Sequence, residues 1–293
     1  MTDTAKIAAP IAGNKLYQGR ARSALPLLVR QAEAKKPILY SDLALELGMP
    51  NPRNLNYPLG SIGKTLELLS EAWGEDVPPI QCLVINKNTG LPGEGIAWFL
   101  HKGSVSGIFP DDFGKLPKKK QREIVEAELQ KVFYYPRWRE VLAALSLEPA
   151  TYDHADLLNE AVKYRGGESE AHKQLKEFVA KNPGLVGLSS ATPKGETELK
   201  LLSGDVLDVS FAKNGHWLAA EVKSQISGEQ DILRGLFQCV KYRAVMEATL
   251  IAEGAHPSVE AVLVLEGTLP PTLTALKNMF GVTVFEGVGS QGA

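Results

Sequence analysis

Two short stretches of the sequence set charged side chains among apolar ones in a spacing suited to metal-assisted hydrolysis. Gly204-Asp205-Val206-Leu207-Asp208-Val209 places acids in one strand-like run, and Ala219-Ala220-Glu221-Val222-Lys223 places a Glu-x-Lys triplet in another. Strand side chains alternate between faces, so Glu221 and Lys223 share one face while Ala220 and Val222 pack on the other. Asn214-Gly215 between the two runs is a hairpin signal. A hairpin there brings Asp208 beside Glu221. Burying two carboxylates and an ammonium is costly without compensation. A hard cation, Mg²⁺ or Mn²⁺, supplies it through oxygen ligands and retained water. Such an ion acidifies an attacking water and neutralises charge building on a phosphate. A neighbouring lysine orients or deprotonates that water and stabilises the developing charge. Asp208 and Glu221 are therefore the expected metal ligands and Lys223 the catalytic lysine. Asp205, at the strand entrance behind Gly204, is the alternative to Asp208.

The elements that must position these groups follow from periodicity. Ala171, Leu175, Phe178 and Val179 stripe a helix running from Glu168 to about Lys181 and ending at Asn182-Pro183. Strand-like runs follow at Glu198–Leu202, Val206–Phe211 and Trp217–Val222, then a long helix from Gly228 to Ile251. A strand at Ala261–Leu265, a helix at Thr272–Met279 and a strand at Val282–Phe285 complete an α-β-β-β-α-β-α-β order. On the long helix Gln238 and Tyr242 are spaced i, i+4 and so share a face.

That order, with Asp208, Glu221-x-Lys223 and Gln238-x-x-x-Tyr242, resembles the PD-(D/E)xK nucleases, the restriction-endonuclease-like group that includes Mrr-like and RecB-like enzymes. The resemblance spans roughly 168–285. It implies an α/β (α+β) fold with an αβββαβ core, and water-driven cleavage of DNA phosphodiesters with Mg²⁺ or Mn²⁺. It also implies a further acidic ligand from the first helix, for which Glu168 fits best and Glu170 second. Gln238 joins the catalytic group, while Tyr242, Lys241, Arg234 and Arg243 would face DNA. Leu207 stands where many members carry a proline before the aspartate. His172 and His216 are read as ordinary surface or supporting residues. A regulator or defence-complex subunit, catalytically silent on the same fold, is the competing expectation.

Upstream, Leu25, Leu28, Val29 and Ala32 mark one helix, Leu43, Ala44 and Leu47 a second, and Leu59, Ile62, Leu66, Leu69 and Trp73 a third. Strands expected at Ile80–Asn86 and Ile96–Leu100 would close a hairpin. Three helices and a hairpin suggest a winged-helix-like domain over 15–114 that places its third helix, bearing Lys64, on DNA. Glu67 and Glu71 on that helix weigh against deep groove insertion and leave protein binding open. The Tyr40-Ser41-Asp42-Leu43-Ala44 entry and the stretch around Cys82 resemble the DNA-binding part of alkylguanine transferases. Leu83-Val84 replaces the His-Arg pair that would activate the thiol, so Cys82 is expected to be inert. Residues 1–14 read as a disordered lead-in, the basic run Lys115–Arg122 opens a helical connector over 115–165, and 166–293 is the expected nuclease domain.

Composition sets outer bounds. Apolar residues make up 44% of 293 and charged residues 23%, as in globular proteins. No apolar run is long enough to span a membrane. Two cysteines suggest no disulfide framework, so a cytoplasmic location is expected. A net charge of −2 offers no general attraction to nucleic acid, and the local distribution of charge must decide. A double-strand cutter of this kind would act as a homodimer.

Overall fold

The computed structural model describes residues 7–100, 113–150, 169–256 and 258–289. The chain is mixed α/β and divides into two units, Met1–Thr151 and Tyr152–Ala293. No helix among the described residues is long and apolar enough to cross a membrane.

The first unit is helical: α1 (Leu16–Glu33), α2 (Tyr40–Glu46), α3 (Asn56–Trp73), α4 (Ala97–Leu100), α5 (Lys118–Tyr134) and α6 (Trp138–Ala144). Leu25, Leu28 and Val29 of α1 meet Leu43 of α2 and Ile62 and Leu66 of α3 in one core. The segment expected as a connector lies in that same core, through Val132 of α5 and Trp138, Val141 and Leu142 of α6.

The expected hairpin does not form among the described residues. Ile80–Leu83 is a 3-10 turn, only Val84–Ile85 (β2) is extended, and β2 pairs in parallel with Ile38–Leu39 (β1). Residues 80–84 are buried on every side instead of alternating, which a half-exposed strand cannot satisfy. Burial at 96, 97, 99 and 100 follows the helical spacing of α4, so the returning strand was a misread helix turn.

The second unit follows the expected element order: α7 (Glu170–Lys181), β3 (Glu196–Lys200), β4 (Val206–Lys213), β5 (His216–Lys223), α8 (Glu229–Ala252), β6 (Val259–Leu265), α9 (Thr274–Phe280) and β7 (Thr283–Phe285). The five strands lie side by side in chain order. β3, β4 and β5 are antiparallel neighbours, while β5, β6 and β7 run parallel. Asn214 and Gly215 both take positive φ, 52° and 78°, as a tight hairpin turn requires.

The sheet is covered on both faces. Leu175 and Val179 of α7 pack on Val209, Phe211, Leu218, Val222 and Val264. Leu233, Leu236 and Met246 of α8 pack on Leu207, Ala219 and Leu263. The apolar run Ala261–Leu265 of β6 fits a strand buried on both sides.

Candidate active site

Every strand side chain on the α8 face near Lys223 is apolar or small except two. Ala219, Glu221 and Lys223 alternate outward from β5 beneath α8, and α8 can approach because residue 235 is glycine. A Cβ there would stand 2.8 Å from Leu263 Cδ1, 3.1 Å from Lys223 Cε and 3.6 Å from Glu221 Cγ.

Asp208 reaches the same place by a different route. The β4–β5 ladder runs as far as Val209–Ala220 and stops. At this point β4 changes the face it offers: Val209 packs on the α7 side and Leu207 on the α8 side. The Asp208 carboxylate fills the gap, Oδ2 accepting from the Val222 N–H at 2.9 Å. A side chain thus replaces a ladder bond, and its other oxygen, Oδ1, faces His172 Nε2 at 3.5 Å. The two aspartates have different contacts. Asp205 pairs with Lys241 at 2.6 Å and with Ser203, away from Glu221.

Lys223 Nζ donates to Glu221 Oε1 at 2.9 Å and to Asp231 Oδ1 at 3.1 Å. The second oxygen of Glu221, Oε2, is buried without a hydrogen-bond partner. Burial and then the Asp208 charge push the Glu221 carboxyl up to about 7, against the partial relief that Lys223 gives. Burial acts in the same sense on Asp208, but the His172 and Val222 hydrogen bonds outweigh it and hold that acid below its ordinary value. Burial alone would lower Lys223; Glu221 and Asp231 overcome it and raise the amine.

These groups border a cavity of about 320 Å³ lined by Asp208 and Lys223, by Ser169, His172 and Lys176 of the α7 end, by Glu198 of β3, and by Ser224, Asp231, Arg234 and Gln238. Lys176 is bonded to Glu198 at 3.0 Å and lies 3.9 Å from Asp208. Glu198 itself has φ 59°, a strained conformation for a non-glycine residue inside a strand. The first turns of α7 and α8 both reach the cavity, through His172 and Asp231, and helix N-termini favour negative charge.

The expected site residues sort unevenly. Asp208, Glu221, Lys223, Gln238 and Arg234 are gathered at or beneath the cavity. Tyr242 is not a surface group: it is 4% exposed, accepts from Gln238 Nε2 at 2.9 Å and donates to the Val206 carbonyl at 3.1 Å. Its hydroxyl ties α8 to β4 through the Val206 carbonyl. Lys241 is engaged by Asp205, and Arg243 caps the α9 end at Phe280 and Gly281. Lys64 belongs to the first unit and pairs with Glu67 at 2.9 Å. Glu170 is exposed and does not line the cavity, and Glu168 lies outside the described residues. His216, bonded to Ser258, sits at the far end of β5.

His172, expected as a surface or supporting residue, is beside Asp208, on the same helix face as Lys176 at i, i+4. Asp231, at i, i+4 to Gly235, was missed. Cys82 is fully buried; burial and the Glu128 charge push its thiol well up, in keeping with an inert group.

Among the described residues, no three His, Cys, Asp or Glu side chains are gathered tightly enough to hold a metal unaided. The donor set that does exist is two carboxylates, with the buried Glu221 Oε2 lacking any partner. Around the cavity Lys176, Lys223 and Arg234 stand against Glu198, Asp208 and Asp231, with Glu221 beneath, three cations to four carboxylates. That balance suits a bound cation and does not by itself invite a phosphate. No protein-family model, curated protein or solved structure matches the chain.

Proposed function

We propose that the second unit is a divalent-metal-dependent deoxyribonuclease of the PD-(D/E)xK type. The observation that carries this reading is the convergence of Asp208, Glu221 and Lys223 at the point where β4 and β5 part, with a partnerless carboxylate oxygen beside them. The restriction-endonuclease-like αβββαβ core is part of the same proposal, supported by the element order and by the Gln238–Tyr242 pair in place on α8.

Asp208 and Glu221 would hold Mg²⁺ or Mn²⁺, with water completing the oxygen ligands. The ion supplies acidification of water and neutralisation of phosphate charge. The chain's own residues do the positioning. Lys223 presents its remaining N–H to a phosphate or water oxygen. Arg234 and the N-terminal turns of α7 and α8 favour the negative phosphate in the cavity. Asp208 keeps one oxygen on the backbone, which fixes the other in direction. Gln238 lies at the cavity wall, braced by Tyr242.

The first unit, in this reading, presents DNA. Its helices α1–α3 keep the helical part of the winged-helix-like expectation without the strand hairpin. A double-strand cut would call for two copies, each supplying one site.

Incubation of the purified protein with plasmid, linear duplex and single-stranded DNA, in Mg²⁺ or Mn²⁺ against chelator, tests the proposal. Metal-dependent cleavage that vanishes in Asp208→Ala and Lys223→Ala is the expected result. Cleavage that persists in both variants removes the mechanism, and binding without cleavage on every substrate points to the silent regulator.

A further inference from the structure

Lys223 is held from two directions. One carboxylate, Glu221, belongs to its own strand two residues back; the other, Asp231, arrives on α8. The lysine side chain is 7% exposed, so it cannot swing between rotamers in open solvent. An ammonium carries three N–H groups, and two of them point at these acids. The direction of the third is thereby fixed, and Lys223 lines the cavity.

The helix is built for this approach. Asp231 sits in the first turn of α8, where the unpaired backbone N–H groups favour an acid. One turn later the residue is Gly235, where any Cβ would press on the lysine stem at 3.1 Å. α8 therefore sets a carboxylate over the ammonium and bare backbone over the methylenes. The same helix face continues through Gln238 and Tyr242 at i+7 and i+11 from Asp231, so one stripe serves both the lysine and the strand beneath.

We propose that Asp231 is the positioning residue of Lys223, fixing the ammonium toward the cavity so that it meets a phosphate or water oxygen without reorganisation. The role of Lys223 toward substrate rests on the nuclease reading; the clamp itself does not. Preorganised donors cost nothing to orient at the moment of reaction, and a misplaced one loses much of its effect.

The test uses the full chain with Asp231→Asn and Asp231→Glu. Reductive methylation with formaldehyde and borohydride, read by mass on the Lys223 peptide, reports the clamp without any substrate. Wild type should resist labelling, Asp231→Asn should label several-fold faster, and Asp231→Glu should restore part of the protection. In the metal-dependent cleavage assay Asp231→Asn should lower kcat by about 10- to 100-fold. KM should stay within about threefold, the pattern of a lost transition-state interaction. Labelling of Asp231→Asn at the wild-type rate overturns the clamp whatever the cleavage assay gives. Faster labelling with an unchanged kcat overturns the positioning role. A wild type that never cleaves, yet shows the labelling difference, sinks the nuclease reading and leaves the clamp standing.

Discussion

Val222 donates its backbone N–H to Asp208 Oδ2 at 2.9 Å, two residues past Ala220 of the last β4–β5 ladder pair. Replacing Asp208 with Ala leaves that buried N–H unsatisfied, at a cost of about 1–3 kcal/mol. Asp208→Asn keeps an oxygen acceptor in place and should lose less than about 1 kcal/mol. Both variants should lose at least about 100-fold in metal-dependent cleavage, since neither retains the charge. Chemical denaturation beside the cleavage assay separates the two effects. Equal destabilisation of both variants would refute the backbone role assigned to the carboxylate.

The buried Glu221 gives the metal-free protein a defined pH response. Its folded value is pushed up to about 7 from an ordinary 4.5. The folded state therefore binds the extra proton, so the contribution of this group is complete below about 4.5 and is lost as pH rises through 7. The difference amounts to roughly 3 kcal/mol at 1.36 kcal/mol per unit. In chelator, melting temperature should fall between pH 5 and about 8, and Glu221→Gln should flatten that slope. Mn²⁺ at the upper end should restore stability, because metal binding needs the deprotonated acid. A melting curve insensitive to both Glu221→Gln and Mn²⁺ would count against both assignments.

Gly235→Ala offers a test of sign. In an exposed helix interior the change gains about 0.5–1 kcal/mol. At this position the new methyl would meet Leu263 Cδ1 at 2.8 Å and Lys223 Cε at 3.1 Å. A loss of about 1–3 kcal/mol is expected from overpacking, with a fall in cleavage from the displaced lysine. A stabilised and fully active variant would show that α8 has room to spare.

Tyr242→Phe removes the hydroxyl that accepts from Gln238 and donates to the Val206 carbonyl. A destabilisation of about 1–2 kcal/mol is expected from the two lost partners. Affinity for DNA, measured on the catalytically dead Asp208→Asn background, should be unchanged. A selective loss of affinity without loss of stability would return the tyrosine to the substrate surface.

The second unit was largely legible in the sequence because its signals are short-range. The Asn214-Gly215 turn sets the β4–β5 register, the register brings the Asp208 end of β4 to the Glu221 end of β5, and the i, i+4 spacing puts Gln238 beside Tyr242. What escaped notice depends on contacts between elements distant in the chain. Nothing local says that His172 and Lys176 on α7 meet Asp208, or that Asp231 meets Lys223 across the face of the sheet. The pairings of Lys241 with Asp205 and of Arg243 with the Phe280 carbonyl likewise join elements distant in the chain. In the first unit an apolar run at 80–84 read as a strand because full burial hides periodicity.

β5 is joined to β6 all the way through Lys223–Leu265, yet to β4 only as far as Ala220. The strand is stitched along one margin and unzipped along the other, with a side chain as the last fastener. A ligand that draws Asp208 outward must therefore uncover the Val222 amide, while one that takes only the outer oxygen leaves it shut. Isotope exchange at that single amide is thus an internal gauge of how the carboxylate is engaged, readable before any reaction is found.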